Sequence, residues 1–154
     1  MVDQPLKLIE AFRVLLRVIH PHRPELADEV TGIDCFVRPK RHGISPLEHD
    51  ALKMARACLN KHVREGRIRL LGILEGTEYP QEPHEIHPID CAEGELNIWE
   101  GALEIVLVPE KRWNVYRQVH AVADDVRAVA AAIAITHIDR SPVEVYRTGA
   151  PGTP

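Results

Sequence analysis

Ser45-Pro46-Leu47-Glu48 constrains the fold more tightly than any other four residues of this chain. A serine that can accept from the first helical turn, a proline whose missing N–H costs nothing at the first helical position, and a glutamate placed to bond back to the cap together define a helix start. Downstream, Leu52, Ala55, Leu59 and Val63, supported by Ala51 and Cys58, recur at helical spacing, and Gly66 fits a left-handed C-terminal cap. Cys58 therefore reads as a small apolar residue beside the core rather than a reactive thiol.

A second amphipathic stripe precedes it. Leu8, Ile9, Phe12, Leu15, Leu16 and Ile19 predict a helix from about Pro5 to His20, stopped by Pro21, with Lys7, Glu10, Arg13 and Arg17 on its wet face. Between the two helices, residues 21–44 hold Pro21, Pro24, Pro39, Gly32 and Gly43, and read as an ordered irregular segment with at most one helical turn near Glu25 to Val30. Connections of that length tend to be functional or mobile.

After Gly66 the pattern changes period. "RIRLLGIL" alternates as a strand whose second half is apolar on both faces, and "ELNIWEGALEIVLV" places two β-rich runs on either side of Glu100-Gly101, a tight hairpin in which Gly101 takes positive φ. Asn114 to Val122 is a further strand, and Asp124 or Asp125 is placed to cap a last helix carrying Val126, Val129, Ala130 and Ile133. This order predicts an α+β fold: two N-terminal helices, a three- to four-stranded mainly antiparallel sheet and a C-terminal helix. Residues 1–147 are expected to form a single domain, and the Gly, Pro, Thr and Ala of residues 148–154 a loose tail.

The stretch from Ala51 to Val129 resembles a module of small uncharacterised bacterial proteins, through Cys58-Leu59, Gly66, Ile68, Gly72, His87-Pro88-Ile89-Asp90, Tyr116, Val119, Ala121, Asp125 and Val126. The resemblance implies a compact α+β module and supplies no catalytic residue.

A net charge of −4 removes the simplest argument for nonspecific nucleic-acid binding. The basic run Arg38-Pro39-Lys40-Arg41-His42 reads as a solvated loop. Cys35, Cys58 and Cys91 form an odd set without a CxxC pair, which argues against a disulfide framework. Neither a secretion signal nor a membrane span is legible, so a cytoplasmic location is expected.

Chemistry concentrates at residues 83–91, "PHEIHPIDC". One reading makes His84, His87 and Cys91 ligands of zinc or a similar divalent ion, with Asp90 as a fourth or orienting group. The other is a polar crossover held by Pro80, Pro83 and Pro88, with Ile86 and Ile89 turned inward; the prolines argue against a helix in either case. Serine catalysis is disfavoured, because Ser45 is a cap and the chain has no nucleophile elbow. A glycine-rich phosphate loop is also absent from the sequence. Glu93, Glu95, Glu100 and Glu104 give the hairpin an acidic character.

Trp99, Trp113 and Tyr116 make up most of the aromatic content of the second half of the chain, and Arg112 and Arg117 lie beside them. Such residues anchor protein contacts. The expectation is a non-catalytic interaction or regulatory module without a cofactor, binding a protein partner or associating with itself at a sheet edge. A metal-dependent hydrolase or metal-stabilised module using residues 84–91 is the alternative, and a nucleic-acid-associated regulator using Arg38, Lys40 and Arg41 the third.

Overall fold

The structure, a computed structural model, describes residues 4–76, 82–107 and 112–139, with the backbone alone at 107, 112, 113 and 137–139. The expected residue 147/148 boundary and tail lie outside these residues, as does Pro80.

The chain opens with a two-residue strand β1 (Leu6–Lys7) and runs directly into helix α1 (Leu8–Ile19). Leu8, Phe12, Leu15 and Leu16 of the predicted stripe are buried, with Ala11 added, while Ile9 and Ile19 are half-buried at its margins. Helix α4 (Pro46–Arg64) follows the short helices described below, and it starts with the expected capping box: the Glu48 N–H donates to Ser45 Oγ at 3.1 Å and the Ser45 N–H to Glu48 Oε1 at 2.8 Å. Gly66, at φ +79, closes its far end by donating to the Val63 carbonyl.

Residues 21–44 contain more regular structure than the prolines suggest. Helices α2 (Leu26–Glu29) and α3 (Asp34–Val37) and a 3-10 turn (Pro39–His42) bury Leu26, Ala27, Val30, Cys35, Phe36 and Ile44. Side chains from the long helices pin this segment: Arg13 donates to the Val30 carbonyl at 3.0 Å, Arg17 to Asp28 at 2.9 Å, and the His49 ring to the Phe36 carbonyl at 2.9 Å. Arg23 bridges Glu29 and Glu48. Prolines forbid long helices here, but single turns tied down from outside remain open to the chain.

Strands β2 (Leu70–Leu74), β3 (His84–Glu85), β4 (Glu95–Asn97), β5 (Ala102–Leu107) and β6 (Arg112–Ala121) complete a six-stranded antiparallel sheet. Its order is β3-β2-β6-β5-β4, with β1 beside the end of β6. The class is α+β as expected; the additional strands are the two-residue β1 and β3, too short to carry a legible alternation. Leu70, Leu103, Ile105, Tyr116 and Val119 face a shared core with the helices, while Leu71 and Ile73 are only half-buried because nothing described covers the outer face. The second half of β2 is therefore not buried on both sides.

One bulge breaks the register. Leu71 pairs with His120 and Ile73 with Arg117, so Gln118 and Val119 together oppose Gly72. Gln118 adopts φ +51 to make the extra residue fit. A Cβ on Gly72 would sit 3.0 Å from Ile86 Cδ1 and 3.2 Å from Val119 Cγ2, so the absence of a side chain lets the crossover at Ile86 close over the bulge.

The last helix α6 (Ala123–Asp139) packs along α1, which also packs against α4. Its first turn is held differently from the expected aspartate cap. Val122 precedes the helix and its carbonyl accepts from Val126, while Asp125 turns back to receive the backbone N–H and the guanidinium of Arg69. Among the described residues no helix is long and apolar enough to cross a membrane.

Candidate functional site

Residues 83–91 fold as three consecutive pieces. His84 and Glu85 pair with Gly72 and Leu71 in β3, Ile86 is buried and donates to the Leu70 carbonyl at 2.8 Å, and Pro88–Glu93 form helix α5. The prolines do not prevent that helix: Pro88 stands at its first position, where the missing N–H has no partner to lose. His87 caps it, Nδ1 accepting from the Ile89 N–H at 3.1 Å, and Ile89 points outward at 60% exposure rather than inward.

The four proposed ligands are thereby spread over different tasks. His84 and His87 are exposed, His87 serves the cap, and Asp90 accepts from the Tyr116 hydroxyl at 2.7 Å. Cys91 is buried, and burial, with the charges of Asp90 and Glu85, pushes its thiol up to about 11. Among the described residues no group of three or more His, Cys, Asp or Glu side chains is arranged to hold a metal ion.

The aromatic residues are also divided. Tyr116 points into the core at 8% exposure. Trp99, half-buried, meets Phe36 edge-on at 5.5 Å and Phe12 at 6.1 Å between ring centroids, and Arg56 lies 4.7 Å over the Phe36 ring. Arg117 pairs with Glu75 at 3.1 Å. The side chains of Arg112 and Trp113 lie outside the described residues; their backbone pairs with Leu107 and Val106. In the basic turn, Arg38, Arg41 and His42 gather around Asp34 at 3.5, 4.0 and 2.8 Å. The His42 ring, followed by the two arginines, holds the Asp34 carboxyl below its ordinary range.

What the fold does bring together is the edge of the sheet at β4. This strand pairs with β5 and has no second strand beside it among the described residues. The hairpin turn is four residues long, with Asn97 opposite Ala102, the Glu100 N–H donating to Asn97 Oδ1 at 3.2 Å and Gly101 at φ +63. That register sets Leu96 opposite Leu103 on the core face and Glu95 directly opposite Glu104 on the other. Two carboxylates in this arrangement repel.

Two concavities adjoin the edge. One of about 180 Å³ is lined by Ile33, Arg56, Leu96 and Trp99 together with Glu95 and Glu104, and another of about 250 Å³ by Glu93, Glu95, Glu104 and Val106. Ile33 and Val106 are more than half exposed. None of Glu93, Glu95 and Glu104 pairs with a cation among the described residues. The Glu95–Glu104 pairing comes from a loop of residues 98–101; the tight turn expected at Glu100-Gly101 would have set Glu95 opposite Val106, so the sequence reading missed it. The approach of Ile33, Phe12 and Phe36 to this edge left no signal in the sequence, because those residues come from distant segments.

Comparison with known proteins adds no relative: no family model, no curated protein and no solved structure matches the chain.

Proposed function

We propose that the chain is a non-catalytic interaction module that receives an extended segment of a protein partner, bearing a basic side chain, beside strand β4. The observation that carries this reading is the pairing of Glu95 with Glu104 on an edge strand that has no outer neighbour among the described residues. An added strand gains main-chain hydrogen bonds, and its alternate side chains are read by the surfaces they reach. Here the two concavities share Glu95 and Glu104, and the first adds apolar surface. Ile33, Leu96 and Trp99 suit an apolar side chain, and Glu93, Glu95 and Glu104 suit a lysine or arginine, which would turn the carboxylate repulsion into attraction.

Charged residues on an edge also discourage accidental pairing, so partner binding has to be separated from simple protection of the edge. Extended peptides of alternating apolar and basic residues, selected from a displayed library, provide the probe. The expected result is binding that falls at least tenfold in the Glu95→Gln/Glu104→Gln double variant, weakens with salt, and slows hydrogen exchange at Glu95 to Asn97. Selected peptides that protect other amides, or that bind the double variant equally well, would overturn the proposal. Self-association of the double variant with no peptide binding in the wild type would assign the carboxylates to edge protection alone.

A further inference from the structure

Away from β4, a concavity of about 500 Å³ lies where the end of α4 and the following loop meet α6. Its wall includes His62, Arg67, Val129, Ala132, Ile133 and Thr136. That volume lies within the range of small-molecule sites.

The sequence of α6 is unusual on this side. Residues 128–136 contain no charged side chain, although Ala128, Ala131, Ala132, Ile135 and Thr136 are all exposed. A helix needs one apolar stripe to pack, and α6 already uses Val126, Val129 and Ala130 in the core alongside α1. The second apolar side has no covering element among the described residues. Its small side chains leave the concavity open instead of filling it.

The polar end offers donors. Asp125 lies there, but its oxygens already accept from the Arg69 N–H, Nε and Nη2 at 2.9, 2.9 and 3.1 Å. Arg67 reaches Glu65 through Nη1, leaving other guanidinium N–H groups without a partner among the described residues. The Nδ1 atom of His62 is closed off without a hydrogen-bond partner. Burial, and then the charge of Arg67, lowers the His62 pKa and so disfavours a positive charge on this wall. An apolar trough ending in an arginine with donors to spare complements a short apolar chain ending in an anion.

We propose that this groove binds a small amphipathic carboxylate, its apolar tail along Val129, Ala132 and Ile133 and its carboxylate on Arg67. The probes are hexanoate, octanoate and decanoate, with 1-octanol as the match that lacks the charge. Titration calorimetry should give affinities rising about fourfold per buried methylene along the series. Arg67→Gln should weaken octanoate about tenfold or more and leave 1-octanol within a factor of two. Ala132→Trp, which occupies the trough from an exposed position, should abolish both.

Methyl NMR on the wild-type protein keeps the test independent of whether the tryptophan variant folds: octanoate should move the methyl signals of Ala128, Val129, Ala132 and Ile133 together. No movement of these signals at millimolar octanoate would overturn the proposal, and so would an acid-over-alcohol preference that survives Arg67→Gln. A dimer dissociated by Ile135→Glu, with octanoate silent, would instead assign the second side of α6 to a copy of the chain.

Discussion

The hydroxyl of Tyr116, on the central strand β6, donates to the carboxylate of Asp90 in helix α5 across 2.7 Å, joining two residues 26 positions apart in a partly buried place. This bond fixes α5 against the sheet and removes Asp90 from the pool of free acidic groups next to Cys91.

Tyr116→Phe should therefore destabilise the protein by about 1–2 kcal/mol, the cost of leaving Asp90 without its donor, as measured by urea unfolding at neutral pH. The pH dependence has a defined sign. Burial, together with the bond to Asp90, pushes the Tyr116 hydroxyl up to about 12, above its unfolded value near 10. Its contribution is complete below about pH 10 and is lost as pH rises towards 12. Tyr116→Phe should flatten that part of the stability curve, and the phenolate absorbance component titrating near 12 should vanish with it.

Asp125 behaves in the opposite sense. The bonds from Arg69 hold its carboxyl below the ordinary aspartate range, so the stability it contributes is present above that range and lost as pH falls through its lowered pKa. Asp125→Ala should cost about 1–2 kcal/mol at neutral pH and shrink the difference between neutral and acid unfolding midpoints. Asp124→Ala, removing an exposed carboxylate paired with Arg127 at 3.4 Å, should change stability by no more than about 0.5 kcal/mol.

Gly94 is required for space, not for backbone freedom. At φ −84 any residue could adopt its backbone, yet a Cβ would lie 2.6 Å from Leu103 Cδ1 and 2.9 Å from the Asp90 carbonyl oxygen. Gly94→Ala should lower stability by about 1–3 kcal/mol in thermal unfolding. Gly32→Ala, with nothing within 4 Å of the added carbon, should be neutral or slightly stabilising.

The bulge at Gln118 offers a gain. Its φ of +51 is unfavourable for a residue with a Cβ, and glycine relieves that strain at some cost in chain entropy. Gln118→Gly should raise stability by about 0.5–1 kcal/mol, whereas the β-branched Gln118→Val should lower it by a similar amount or more. A melting temperature unchanged by both would show that the bulge is not held in this conformation in solution.

The sequence by itself determined the parts whose causes lie within a few residues of one another. Ser45 and Glu48 start α4, Gly66 ends it, the stripe from Leu8 to Leu16 buries one side of α1, and Gly101 turns the hairpin, because capping bonds, helical period and φ preference are local. The facing of Glu95 and Glu104 did not follow from the expected turn: a tight turn at Glu100-Gly101 would set Glu95 opposite Val106, and the four-residue loop 98–101 shifts the register. Tertiary structure alone decided that His87 caps α5 while Asp90 is taken by Tyr116, that Trp99 meets Phe12 and Phe36, and that Asp125 answers Arg69 across 56 residues. It also decided which side of α6 has no cover among the described residues. Those relationships depend on strand order and helix packing, in which each contact is chosen by the competing burial of many distant apolar groups and no single segment contains the information.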